Sequence, residues 1–256
     1  MSWLHDLRND QRHGRKRLAA LLDPDGLPTG RDWTRFMDGL NASPITDIFI
    51  GGSLITSRGV KEILHSLRAH YKGRITLFPG SPEQVTPGAD AVLFLSLISG
   101  RNSELLIGRH VESGMRIREM GMDVVPTGYM LIGDGPLTTA AYMSNSLPIP
   151  SAKKEIAVAT AVAGEMLGLG ALFMDAGSGA QQCVSPSTIH AVRNAVDCPI
   201  IVGGGIGDAA GVEAAWQAGA DLVVIGHAIE SRPFQLDWLP HPESFSARAN
   251  PAEEQV

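Results

Sequence analysis

The 256-residue chain reads as an α/β protein whose natural closure is a (β/α)8 TIM barrel. Three observations predict it. Eight short apolar runs alternate with helical patterns, as βα repetition requires. The length is that of one such barrel, about 250 residues. The runs, Val92-Leu93-Phe94-Leu95 being the clearest, are nearly continuous in apolar residues, as parallel strands buried on both faces must be. A doubly wound open sheet of eight strands stands as the second architecture. One domain is expected over residues 1–256, with the barrel at about 17–238 and a polar, aperiodic, frayed tail at 240–256.

The strands fall at Leu18–Leu22, Ile45–Ile50, Ile75–Phe78, Ala91–Leu97, Asp123–Thr127, Ala171–Met174, Pro199–Val202 and Leu222–Ile225. A helix is expected at Asp32–Leu40. After the second strand, Val60, Ile63, Leu64 and Leu67 recur at i, i+3, i+4 and i+7, one face of a helix. The third interval breaks the rhythm: between Phe78 and Ala91 lie Pro79, Pro82 and Pro87 with Gly80 and Gly88. Prolines at that density leave no room for an ordinary crossover, so the barrel should lack a regular third helix. Helices at Glu104–Met120, Ala152–Leu167, Pro186–Val196 and Ala209–Ala218 complete the pattern. The leading segment, Met1 to Arg17, carries Arg12, His13, Arg15, Lys16 and Arg17 and lacks the apolar core of a secretory signal. It reads as a solvated helical face, with peripheral contact to anionic lipid as the alternative.

Composition narrows the function classes. Hydrophobic residues at 44% and charged residues at 19% suit a soluble globular protein with a large core. A net charge of −6 argues against nucleic acid, whose binding needs clustered basic charge. Cys183 and Cys198 form no CxxC pair and read as reduced thiols of a reducing, cytoplasmic compartment. No apolar run approaches the ~20 residues that cross a bilayer.

In a barrel of this class the chemistry lies just past the strand C-termini. Asp23, in Leu22-Asp23-Pro24, ends the first strand, where a carboxylate can hold a hard cation; an Asx turn is the competing reading. Gly51-Gly52-Ser53 ends the second, with the Ser53 hydroxyl available to a metal or a phosphate oxygen. Gly203-Gly204-Gly205 and Gly226-His227 end the seventh and eighth, the places where barrels of the phosphate-binding type use backbone N–H groups. The sixth supplies Phe173-Met174-Asp175-Ala176-Gly177-Ser178-Gly179, in which Asp175 is placed to bind a substrate hydroxyl or take its proton.

Together with Thr127-Gly128-Tyr129 and Ser144-Asn145-Ser146-Leu147-Pro148-Ile149-Pro150, these junctions resemble those of the geranylgeranylglyceryl phosphate synthase family, which includes heptaprenylglyceryl relatives. The resemblance runs from about Arg17 to Glu230. It implies a prenyltransferase of lipid biosynthesis that joins a polyprenyl (geranylgeranyl) diphosphate to the C3 hydroxyl of sn-glycerol 1-phosphate and releases pyrophosphate. Asp23 and Ser53 would hold Mg2+; Phe173 to Gly179, Gly204, Gly205, Gly226 and His227 would cradle glycerol phosphate; Asp175 would orient or deprotonate the attacking hydroxyl. The missing third helix would open a groove for the prenyl tail. Three positions depart from the family's usual residues: Phe173 replaces Tyr, Asp175 replaces Glu and His227 replaces Asn. Arg101, Lys153 and Lys154 are candidate diphosphate helpers, with a solvated surface as the simpler reading for the lysines. The competing functions are another phosphate-barrel enzyme and a catalytically weak barrel that binds phosphorylated ligands. Barrels of this size commonly assemble as symmetric homo-oligomers.

Overall fold

A computed structural model describes residues 2–57 and 59–246. Its eight strands are β1 (Arg17–Leu22), β2 (Asp47–Ile50), β3 (Ile75–Leu77), β4 (Ala91–Leu97), β5 (Asp123–Leu131), β6 (Ala171–Asp175), β7 (Ile200–Gly203) and β8 (Leu222–Ile225). Each pairs in parallel with the next, and β8 returns to β1 in the register Leu18↔Val223 and Ala19↔Val224. The sheet is a closed barrel, which removes the edges that a doubly wound sheet would leave.

Alternation along each strand sorts two cores. Ala19, Phe49, Leu93, Val125, Phe173, Ile201 and Val224 point inward and pack together. Leu18, Ile48, Val92, Leu172, Met174, Val202 and Val223 point outward beneath the helices. Because both sets are buried, the strands show no polar face in the sequence. Residue 174 therefore differs from the expectation: Met174 faces the helical layer, and its side chain has no access to the strand ends.

The helices are α1 (Trp3–Arg12), α2 (Arg31–Ala42), α3 (Val60–His70), α4 (Arg109–Met120), α5 (Thr139–Ser144), α6 (Lys154–Met166), α7 (Pro186–Arg193), α8 (Ala209–Gln217), α9 (His227–Ser231) and α10 (Pro242–Ser246). Between β3 and β4 there is only one 3-10 turn, Pro82–Gln84, as the proline spacing predicts. Local signals set several boundaries: Ser185 caps α7 with Pro186 at its first turn, Asp208 caps α8, and Gly121 ends α4 in a left-handed conformation at φ 65°.

The first helix corrects the expectation of a solvated face. Trp3 and Leu7 are buried in the inward core, and the Trp3 indole donates to Asp47 Oδ1 at 2.8 Å, so α1 closes the N-terminal end of the barrel. The basic residues beside it are engaged: Arg15 and Arg17 pair with Asp10, and Lys16 Nζ donates to the Ala220 carbonyl. The tail is likewise not frayed throughout. Pro242–Ser246 is helical and Phe245 packs on Trp216 with centroids 5.4 Å apart, while 247–256 lie outside the described residues.

Candidate functional site at the strand C-termini

Two cavities meet over the C-terminal end of the barrel. The smaller, about 250 Å³, reaches down to Phe173 and is bounded by the ends of β1, β2 and β6 to β8. The larger, about 610 Å³, runs along the side where a third helix would sit, with Val92, Phe94, Val85, Leu105 and Ile117 among its walls. Gly52, Ser53, Phe78 and Tyr129 line both, so they mark the junction.

Asp23 stands one residue beyond β1. Its Oδ1 accepts from Asp25 N–H at 3.0 Å, the Asx turn anticipated as the competing reading. That turn does not exhaust the carboxylate, because Oδ2 lies against Gly52: a Cβ there would be 2.7 Å away. Burial raises the Asp23 pKa. Asp25 meanwhile accepts from the N–H and hydroxyl groups of both Thr56 and Ser57, tying the loop that carries Ser53 to the loop that carries Asp23. The Gln84 side chain donates to the Gly52 carbonyl at 2.8 Å and accepts from Gly80 N–H at 3.1 Å. The short turn after β3 therefore also fixes this corner.

Asp175, the last residue of β6, is buried. Its Oδ1 accepts from Gly177 N–H at 2.7 Å, and its Oδ2 accepts from the Tyr129 hydroxyl. Burial raises its pKa, opposed by these two hydrogen bonds. Tyr129 itself is held protonated, its pKa pushed far above the ordinary range by burial and by the Asp175 charge. The Tyr129 ring packs edge-on against Phe78 and Phe173, 5.9 and 5.5 Å between centroids. Phe173, at the floor, supplies only an apolar surface, and the phenolic hydroxyl near Asp175 comes from Tyr129 on the neighbouring strand.

Glycine is required at two of the proposed phosphate positions. Gly204 has φ 77°, and a Cβ there would be 2.3 Å from Asp175 Oδ1; Gly205 has φ 70°, with the Gln182 carbonyl oxygen 2.7 Å away. Gly226 differs. A Cβ there would meet Leu21 at 3.6 Å, an ordinary contact, so the absence of a side chain is not what this position needs.

From the stretch 173–179, Phe173, Asp175, Ser178 and Gly179 line the small cavity. Ala176 and Gly177 do not: the Ala176 N–H goes to the Gly203 carbonyl at 3.1 Å and the Gly177 N–H to Asp175. Their role is to shape the turn. His227 lines the cavity with a largely exposed imidazole whose Nδ1 is 3.9 Å from Glu230 Oε2. Glu230, Tyr129 and Gln84 join the site without having been singled out for a role from sequence. Glu230 was hidden as a helical carboxylate; burial and the Asp23 charge raise its pKa. Arg101, Lys153 and Lys154 are exposed and line neither cavity.

Among the described residues no three His, Cys, Asp or Glu side chains cluster as a metal cage. The donors at the Asp23 corner are hard oxygens, from Asp23 and Ser53, with Glu230 on the same cavity wall. That set fits Mg2+, which retains several waters and needs only one or two carboxylates with substrate phosphates.

Residues 14–239 match the profile of the PcrB family. The geranylgeranylglyceryl phosphate synthase of Spirosoma linguale is 43% identical over 233 residues, 91% of this chain and 93% of that one. Its counterpart in Chitinophaga pinensis is 47% identical over 217 residues, 85% and 86% of the two chains. The (S)-3-O-geranylgeranylglyceryl phosphate synthase from Thermoplasma acidophilum, solved in complex with its substrate sn-glycerol-1-phosphate, superposes with a TM-score of 0.86 at 28% identity. The match covers 96% of this chain and 98% of that chain.

Proposed function

The chain belongs to the PcrB family, and from that premise we propose that it is a prenyltransferase joining geranylgeranyl diphosphate to the C3 hydroxyl of sn-glycerol 1-phosphate. The observation that carries this reading is the junction of two unlike cavities: a small one with carboxylates and glycine turns, and a long one walled by apolar side chains. Two substrates of matching character would meet at Ser53, Phe78 and Tyr129. A barrel enzyme acting on one small phosphate ester has no use for the larger cavity.

Glycerol phosphate would place its phosphate at the Gly204-Gly205 turn, beside Ser178, Gly179 and the peptide of Gly226, with His227 at the rim. Its hydroxyls would then point toward Asp175. The prenyl tail would lie between β4 and α4, with the diphosphate over Asp23 and Ser53. Mg2+ held there would neutralise the leaving diphosphate and template its geometry. The allylic C1–O bond breaks, pyrophosphate departs with the bonding pair, and the glycerol C3 oxygen forms the new ether bond to C1. Asp175 orients that hydroxyl or takes its proton, and Tyr129 fixes the carboxylate rotamer. Phe78 and Phe173 keep water away from the carbon centre.

The partners are the two substrates. No helix of the described residues is long and apolar enough to cross a membrane. A cytoplasmic enzyme in peripheral contact with lipid fits this, and the exposed stripe of Ile107, in the π-helical turn Glu104–Gly108 before α4, with Val111 and Met115 on α4 supports a homo-oligomer. The deciding experiment incubates the chain with Mg2+, geranylgeranyl diphosphate and either glycerol phosphate enantiomer, reading pyrophosphate and ether product. Ether formed with the sn-1 enantiomer is expected. Binding of glycerol phosphate without pyrophosphate release would make this a phosphate-binding barrel and not a transferase.

A further inference from the structure

The segment between β5 and α6 spans residues 132–153. Strands of a parallel barrel all end on one side and each helix returns from there, so this excursion lies over the C-terminal end, at the mouth of the larger cavity. Its base is fastened: Ile132 bridges to Ile149, Gly133 N–H donates to the Ile149 carbonyl at 3.0 Å, and Ser151 N–H donates to Asp134 Oδ2 at 3.0 Å. Within it α5 and the residues flanking it fall into three environments. Ala141 is buried against Leu97 and Leu131, which seats the helix on the barrel. Ala140, Met143 and Ser144 line the larger cavity. Leu137, Tyr142 and Leu147 point outward, 61%, 72% and 84% exposed.

Single exposed apolar side chains need no explanation, but a cluster beside a cavity mouth does. The opposite lip of the same mouth carries Leu54, also exposed while lining the cavity. Lys153, Lys154 and Arg101 stand exposed on the same end, with Asp134 and Glu155 partly offsetting their charge. Apolar side chains, a tyrosine and flanking cations at one rim are the composition of a surface that sits at a lipid headgroup boundary.

We propose that this rim, centred on Leu137, Tyr142 and Leu147, docks the barrel onto a lipid bilayer so that the larger cavity opens toward the membrane. This rests on the reading of that cavity as a polyprenyl site, and it supplies what such a site needs. A polyprenyl diphosphate and its ether product are amphiphiles, and moving their tails through water is unfavourable for every CH2 exposed. A second copy of the chain seated on this rim would close the mouth instead. The α4 stripe faces sideways and leaves the rim open. The basic residues of the N-terminal segment lie at the other end of the barrel, so they play no part in this docking.

The test is co-sedimentation of the full chain with phosphatidylcholine vesicles, with and without phosphatidylglycerol. A double variant, Tyr142→Glu with Leu147→Glu, is compared with wild type. Wild type should sediment with vesicles and the variant should partition at least about tenfold less, since burying one leucine is already worth roughly one decade. Both residues lie outside the two cavities, so turnover of a soluble short-chain prenyl diphosphate in vesicle-free buffer should be unchanged. Equal sedimentation of the two proteins, or none by wild type, overturns the proposal. So does a variant whose only change is loss of oligomer mass in light scattering, because the rim is then a contact between copies. Vesicle binding with no turnover of any prenyl diphosphate would refute the transferase reading while leaving the docking intact.

Discussion

Gly204→Ala tests the site where its geometry is tightest. The new Cβ would come 2.3 Å from Asp175 Oδ1, 2.6 Å from Gly177 N and 2.8 Å from Ala176 N. That is roughly 1 Å inside van der Waals contact, so the Asp175 carboxylate or the 176–177 peptides must move. The residue would also keep φ near 77°, which costs an L side chain about 1–2 kcal/mol. For a chain of this size that lowers the melting temperature by about 2–8 °C. The larger effect is on chemistry. A displacement of about 1 Å in a positioning group costs on the order of 10²-fold in rate, so kcat/KM for glycerol phosphate should fall by about that factor. The KM for the prenyl diphosphate, bound in the other cavity, should be essentially unchanged. Steady-state kinetics with each substrate varied in turn, beside a thermal melt, read all three quantities. A KM for the prenyl diphosphate that rises as much as that for glycerol phosphate would mean that the turn serves only the fold. An unshifted melt would refute the steric argument itself.

Three further outcomes follow from the same geometry. Asp23→Asn keeps the oxygen that accepts from Asp25 N–H, so the melting curve should hold while Mg2+-dependent turnover is lost; unchanged Mg2+ titrations would remove Asp23 from the metal site. Asp175→Asn should cost about 10²–10⁴-fold in kcat if the carboxylate takes the proton, and should chiefly raise the glycerol phosphate KM if it only orients the hydroxyl. Wild-type rates in that variant would leave Asp175 as a turn cap. Tyr129→Phe removes one of the two hydrogen bonds that oppose burial at Asp175, so the aspartate pKa should rise further and the acid limb of kcat should move to higher pH. The sign in stability is consistent. With its folded pKa above 3.8, the Asp175 contribution is present below the unfolded value and is lost as pH rises through the folded one. An acid limb that stays put would show that the rate does not titrate with Asp175.

The residues that could be read along the chain were those whose role depends on local pattern. Near-continuous apolar runs located all eight strands, because burial on both faces leaves no other composition open to a parallel barrel strand. Three prolines in twelve residues abolished the third helix, because proline lacks the donor a helix interior needs. Asp23, Ser53 and Asp175 were legible as candidates because they directly follow or end such runs, and the topology sends every strand end to one side.

What remained hidden depended on contacts between distant segments. Alternation turns Phe173 and Asp175 inward and Met174 outward, a phase fixed only when β6 pairs with β5 and β7. Tyr129 gained its role from pairing opposite Phe173, which brings its hydroxyl to a carboxylate 46 residues away in sequence. Trp3 and Leu7 form too narrow an apolar stripe to announce burial, and only a barrel with an open lower end gives them a place to go. The Gly204 requirement has the same origin. Sequence determined that a glycine turn follows β7; the tertiary structure decided that Asp175 occupies the space a side chain would take.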